Sequence, residues 1–519
     1  MSKYFDVVDR FSIGLAKSVI RFRFVVIAVT VAAALAIGTG GKLLSFSTDY
    51  RVFFSGDNPE LNAFESFQKT YVKNDNFFFV LEPKNGNVFT KENLKAVELL
   101  TEKAWLIPFA NRVDSISNYQ NSYAEGDDLT VEDLYSNAEN LSPAAINLIR
   151  DTAISEPLLL DQLIKADGSA TAINVVMQFP GQSLYEVPTA AAKAREYKAL
   201  IEQEFPDINV SLTGFSMLNN AFAEAGYMDS IQLVPLMYGV LVLLTLLALR
   251  SIVGTLMTIA VVYLSIGVGM GLGGFTGVLL TPISNSAPII ILTLAIADSI
   301  HILLSFKKAI RKGMSRHDAV IESLRVNLMP VTVTSLTTIV GFMALNFSDA
   351  PPYWHLGNMA SAGIAAGWLL SITLLPALMS IIPMRIKQSG NYTLGEKSMD
   401  KLAGFVNANA KMLATLCIIL SLGLVAFVPS IEFDDQWSDY FSQKIEFRND
   451  TDQATEKFGM YPVEYSVPAA GPGGISDNEY LTKLEQFTNF LRQQPNVVHV
   501  FSITDIVKRL NKNVHGDDQ

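Results

Sequence analysis

Seven stretches of the chain are apolar enough and long enough to cross a bilayer, and between them the pattern changes character. Runs at 24–40, 231–249, 252–275, 286–306, 330–347, 356–382 and 412–428 carry few or no charges, and about 20 apolar residues suffice for a helix to span hydrocarbon. The region 41–229 reads instead as short strands alternating with amphipathic helices. FFFVL at 77–81 predicts a strand, Thr90 caps a helix to about residue 105, and 113–119 predicts a second strand. After an insertion at 121–168 the order repeats: AINVVMQF at 172–179 a strand, 189–205 a helix, 208–214 a strand. Two βαβ units in tandem predict the split-βαβ, ferredoxin-like arrangement. Inside the insertion, 143–150 reads as helical. The acidic run at 125–128 reads as a solvated loop, with a cation site as the alternative.

The fold class that follows is a polytopic α-helical membrane protein with extracytoplasmic α+β domains. Its parts are an N-terminal segment (1–23), a first span (24–40), a first α+β domain (41–229), a bundle of spans two to six (230–383), a polar linker (384–411), a seventh span (412–428) and a partial second α+β domain (429–519). In 1–23, Phe5, Val8, Phe11 and Leu15 alternate with Arg10, Lys17, Arg21 and Arg23. That spacing suits an amphipathic helix on the inner membrane face, or an ordinary basic flank to the first span.

Charge sets the expected orientation. Lys307, Lys308, Arg311, Lys312, Arg316 and Arg325 fall between spans four and five, which reads as a basic loop over 307–329, whereas 276–285 and 348–355 hold no Lys or Arg. The positive-inside rule then puts the N-terminus and the linker in the cytoplasm and both α+β domains outside a bacterial inner membrane.

Composition narrows the function. Half of the 519 residues are hydrophobic, mean hydropathy is +0.28 and the net charge is −11, which argues against nucleic acid as a partner. One cysteine, Cys417, allows no disulfide within the chain, and five scattered histidines offer no metal-ligand spacing. No nucleophile elbow, phosphate-binding glycine loop or zinc motif is present. Neither an enzyme activity nor a cofactor is expected.

The candidate chemistry lies in SAPIIILTLAIADSIHILLSF, the fourth apolar run, which carries Asp298 and, one turn later, His301. A carboxylate at the bilayer centre costs on the order of 3 kcal/mol, so such groups usually face a bundle interior and mark an ion path. Asp298 is therefore the first candidate for an ion relay, the alternative being a hydrogen bond that glues neighbouring helices. His301, titrating near neutrality, either extends that relay or faces the bundle as a partner of Asp298. In span five, TSLTT places hydroxyls at Thr334, Ser335, Thr337 and Thr338, with Thr334 and Thr338 on one face. They either reach Asp298 or bond back to their own helix. In span three, IGVGMGLGGFTG spaces its glycines for close helix packing.

The chain also repeats. An offset of about 387 residues lays FSTDYRVFF (46–54) on FDDQWSDYF (433–441), strand 77–81 on 464–468, the cap Thr90 on Asp477, strand 113–117 on 500–504, and the first span on the seventh.

One span, a split-βαβ domain, five spans and the start of the same again resembles the resistance-nodulation-division superfamily. Within it the chain is most similar to the mycobacterial membrane protein large (MMPL) and Patched/Dispatched transporters. The residues that carry the likeness are YRVFFSGDNPELNAF after span one, LAIADSIHILLSF in span four and PVTVTSLTTIVGFMALNFSDAPPYWHLGNMASAGI across spans five and six. The resemblance implies that Asp298 belongs to the ion relay, and that span five packs on span four. It also departs from the family motif Gly-x-x-x-Asp-Tyr, with Leu294 at the glycine and Ser299 at the tyrosine, which leaves a proton and a sodium ion both open as the coupling ion. A partner acid in a tenth span has no counterpart here.

The expected function is an ion-coupled secondary transporter, with the proton foremost, exporting hydrophobic or lipid-like molecules. The alternatives are a lipid- or sterol-binding sensing scaffold without transport, and an inactive truncated half whose missing spans a second chain supplies.

Overall fold

A computed structural model describes residues 2–47, 50–71, 75–125, 128–183, 185–384, 394–432, 436–459, 462–495 and 497–515. Along the chain the helices are α1 (Ser2–Arg21), α2 (Arg23–Gly38), α3 (Pro59–Thr70), α4 (Lys91–Ala104), α5 (Pro143–Ser155), α6 (Glu186–Glu204) and α7 (Phe215–Leu249). There follow α8 (Ile252–Phe275), α9 (Ala287–Arg311), α10 (Arg316–Met343), α11 (Pro351–Ile372) and α12 (Leu374–Ile381). The last are α13 (Leu394–Ala408), α14 (Ala410–Val425), α15 (Glu446–Phe458), α16 (Asn478–Arg492) and α17 (Ile503–His515). The strands are β1 (Ser45–Phe46), β2 (Asn76–Pro83), β3 (Ala110–Asp114), β4 (Gln120–Glu125), β5 (Asp128–Asp133), β6 (Thr171–Met177), β7 (Ile208–Thr213) and β8 (Leu279–Leu280). The chain divides into two compact units, one of residues 1–47 with 229–436, the other of 48–228 with 437–519.

The first unit is the helical one. Among the described residues, seven helical stretches are long and apolar enough to cross a membrane: Arg23–Leu43, Phe215–Leu249, Ile252–Phe275, Ser284–Arg311, Arg316–Phe347, Pro351–Ile381 and Ala410–Ser430. They coincide with the seven apolar runs of the sequence, the sixth ending one residue before the expected 382. Glycines set how closely the helices approach. A methyl group at Gly271 or Gly274 of α8 would overlap the carbonyl oxygens of Ile37 and Gly40, and one at Gly363 of α11 would overlap Ile291 of α9. Without side chains there, α8 lies against α2 on one side and against α9 and α11 on the other.

The basic stretch between spans four and five differs from the expected loop. α9 runs to Arg311 and α10 starts at Arg316, with Ser315 as its N-cap accepting from the Asp318 amide at 3.3 Å. The physical reason is an amphipathic period hidden among the charges: Ala319, Val320, Ser323, Leu324, Asn327 and Leu328 are all buried. In the same way 394–408 of the linker is helical, while 385–393 lies outside the described residues.

The second unit is α+β. Its four-stranded antiparallel sheet has the order β3-β6-β2-β7, the split-βαβ order in which each crossover skips a strand. Phe77, Phe79 and Leu81 of β2 are fully buried together with Leu94 and Leu100 of α4 and Ile201 of α6. Thr90 caps α4 and Asn58 caps α3 through side-chain oxygens. Within the insertion, β4 and β5 form a hairpin that alternation in QNSYAE and DLTVED could have signalled. Gly126 and Asp127, at the centre of the acidic run, lie outside the described residues.

The repeat is visible element by element at one offset of 387 residues. It carries the start of α2 onto that of α14, the 3₁₀ turn Tyr50–Phe53 onto Trp437–Tyr440, the start of α3 onto that of α15 and the start of α4 onto that of α16. Asp477 caps α16 as Thr90 caps α4. Residues 48–49 and 433–435 of the aligned segments lie outside the described residues. The strands do not follow. Residues 464–468 and 500–502 are not in strands, and α17 begins at Ile503. β2 is held because β6 and β7 pair with both its edges. Among the described residues, 464–468 has no such ladder, and an unpaired strand leaves its backbone groups without partners.

Candidate functional site

Asp298 lies on the buried stripe of α9, with Ala295, Ser299 and Ile302, and is 6% exposed. Ser335 of α10, itself buried, donates its hydroxyl to the Asp298 Oδ2 at 2.9 Å. One turn before Asp298, Gly367 of α11 faces Ala295 and Ser265, so α8, α9 and α11 close up on small side chains there. Among the described residues no lysine or arginine forms an ion pair with Asp298. The site is thus a carboxylate in an apolar bundle, satisfied by a neutral hydroxyl. Such a group can exchange a proton or small cation without first breaking a salt bridge.

The other sequence candidates are placed differently. Thr334 donates to the carbonyls of Pro330 and Val331 (2.9 and 3.0 Å), and Thr338 to that of Thr334 at 2.7 Å. Both therefore bond back into α10, and the expected reach to Asp298 belongs to Ser335. Ser335 is one residue on from Thr334, about 100° around the helix, which is the face α10 turns to α9. His301 is exposed rather than bundle-facing, and no hydrogen bond joins it to Asp298. Three residues along α9 turn the side chain about 60° off the buried stripe, far enough to leave it.

Two further buried groups were not singled out from the sequence. Lys307, at the end of α9, donates its ammonium to the carbonyl of Leu249, closing the C-terminus of α7. The only prior sign was a lysine on the apolar stripe one turn past Leu303. In the α+β unit, Asp450 of α15 accepts from Lys198 Nζ at 2.6 Å and from the Leu212 amide at 2.8 Å. Glu446 also accepts from Lys198, at 2.7 Å. Burial works against the Lys198 ammonium, but its hydrogen bonds to Asp450 and Glu446 prevail and raise it above the ordinary lysine range. Burial pushes the Asp450 carboxyl up, against the pull of Lys198. No His, Cys, Asp and Glu cluster able to hold a metal ion occurs among the described residues.

Comparison with known proteins bears on these sites. The model of the MMPL family matches residues 79–394, which include α9 and α10. A Methanocaldococcus jannaschii membrane protein is 34% identical over 112 residues, 21% of this chain and 29% of that protein. The mycolic acid-containing lipids exporter MmpL11 of Mycolicibacterium smegmatis is 22% identical over 220 residues, 40% of this chain and 23% of the exporter. A Streptomyces coelicolor membrane protein is 25% identical over 149 residues, 27% of this chain and 21% of that protein. The chain thus spans less than a third of the length of each of these relatives.

Proposed function

The chain belongs to the MMPL family, and on that premise we propose that it works as a secondary transporter rather than an enzyme, exporting hydrophobic or lipid-like molecules with a proton as the coupling ion. The observation that carries this reading is the Asp298–Ser335 pair, a buried carboxylate whose one hydrogen bond among the described residues comes from a hydroxyl. Ionised, Asp298 is poorly solvated in the bundle; neutralised by an incoming ion, it is not. Each cycle changes what α9 and α10 gain from facing each other, and a membrane potential adds about 2.3 kcal/mol per charge per 100 mV. The kinship with a mycolic acid-containing lipids exporter supports a lipid-like cargo.

The same reading sets the chain in an inner membrane with its N-terminus in the cytoplasm. Arg23 and His317 meet at 3.3 Å, so the beginnings of α2 and α10 lie at one end of the helical unit. Lys308 and Arg311 in the last turn of α9, and Lys312 just after it, lie at that end too, as the positive-inside rule asks of a cytoplasmic side.

The test is proton flux in proteoliposomes, using the full chain and a long-chain fluorescent lipid as probe. Asp298→Asn is expected to reduce lipid-dependent proton movement to background while insertion stays at the parent level. Undiminished flux in that variant would overturn the proposal. Lipid binding by the parent without any flux would favour a sensing scaffold instead.

A further inference from the structure

Helix α1 buries one face and leaves two apolar side chains and two cations on its open side. Ser12, Ala16 and Val19, at helical spacing, are buried, with Ala16 in one cluster with Ala319, Val320 and Leu324 of α10. On the opposite side Val7, Phe11, Gly14, Ser18 and Arg21 follow one another at the same spacing. Val7 is 58% exposed and Phe11 65%. Both stand on the side of the helix that the fold leaves open.

The charges on α1 are divided between these sides. Asp9 pairs with Arg325 of α10 at 2.7 Å, and Arg325 also holds Glu322 at 2.8 Å. Asp9 is thereby neutralised within the protein. Lys17 and Arg21, exposed further along α1, form no ion pair among the described residues. Arg21 lies over the ring of Phe22, and Arg23 over that of Phe24, at 5.4 and 5.3 Å. Phe22 alone separates α1 from α2, so the open face stays within a helix length of the bilayer that α2 enters. Its cations mixed with aromatic rings match the boundary where phosphate headgroups meet acyl chains.

We infer that the open face of α1 is a docking surface for anionic phospholipid of the adjoining leaflet, with Val7 and Phe11 inserted and Lys17 and Arg21 on the headgroup phosphates. Two cations near the surface strengthen the attachment by roughly 30-fold, about fivefold each. The attachment weakens with salt, because exposed charges are screened over about 8 Å at physiological ionic strength. The inference does not depend on transport, since it needs no ion to move.

The experiment places a spin label at Phe11→Cys in a Cys417→Ser background. The full chain is held in nanodiscs of phosphatidylcholine alone or of one-third phosphatidylglycerol. With phosphatidylglycerol the label is expected to collide with oxygen more than with a water-soluble nickel complex. K17Q/R21Q, or high salt, should return it toward water. A label equally wetted in both lipids overturns the inference, and so does one equally embedded in both, because then charge plays no part. An independent measurement needs no change at Phe11: native mass spectrometry should find fewer phosphatidylglycerol molecules on K17Q/R21Q than on the parent. Equal numbers on the two would sink it as well.

Discussion

Asp298 and Asp450 are both buried aspartates, yet the protein treats them in opposite ways. Asp450 is surrounded by donors: an ammonium, a backbone amide of the β7 edge, and the rest of α15 laid along that strand, where Ser211 and Thr213 bond Gln453 and Thr451 at 2.7 Å each. The Leu212 amide, on the open edge of the sheet, gains a partner in this way. Asp298 has one hydroxyl. A carboxylate held by an ammonium and a backbone amide is committed to structure, because any change in its protonation disrupts its neighbours. One with a single neutral partner can change state at small structural cost. On the function proposed above, what suits Asp298 to the work is less its burial than its having, among the described residues, one neutral hydrogen-bond partner.

The largest expected contrast comes from removing each charge in turn. Asp298→Asn should abolish ion-coupled flux yet leave the melting curve near that of the parent, since Asn still accepts from Ser335. Asp450→Ala should do the reverse. It leaves Lys198 with Glu446 alone and the Leu212 amide without its acceptor, and is expected to cost about 1–3 kcal/mol, read as a lowered melting temperature of the α+β unit. Adding Lys198→Met to that variant should recover most of it. If instead Asp450→Ala melts normally and stops flux, the two aspartates share a role and the comparison fails. Alkali probes the same ion pair. Lys198 is raised in the folded state, so its contribution is fully present below the unfolded lysine value of about 10.5 and disappears as pH climbs through the higher folded value. Unfolding followed from pH 7 upward should therefore show no loss from this pair until beyond that point. Earlier loss would mean that Lys198 is not held by the carboxylates.

The two sites were not equally legible. Asp298 stood out in sequence because a charge inside a run of twenty apolar residues is a local anomaly. The seven spans and the ferredoxin-like order were legible for the same reason, both being carried by periodicities within a window of residues. Ser335 could not be told from Thr334 or Thr338, since one residue of helical rotation decides which hydroxyl faces α9, and that rotation is set by packing. The Lys198–Asp450 pair joins positions 252 apart in the chain and leaves no local trace. Strands at 464–468 and 500–504 were expected from the repeat, but a strand exists only by its neighbours. The helices of the repeat, which satisfy their own backbones, kept the offset.

The finest test of the comparison lies inside span five. Ser335→Ala removes the one hydroxyl that reaches Asp298, a hydrogen bond to a charged group worth about 1.5–3 kcal/mol. Flux is expected to fall by roughly 4- to 12-fold if half of that energy is felt in the rate-limiting step. Thr338→Val removes a hydroxyl of the same helix that bonds only to the Thr334 carbonyl. Such a change at a partly exposed position should stay within about 0.5 kcal/mol and leave flux within about twofold of the parent. Equal losses in the two variants would mean that α10 matters through its backbone and general polarity, and Ser335 would lose its special standing. A loss confined to Ser335→Ala would show that the difference between the two aspartates turns on a single donor.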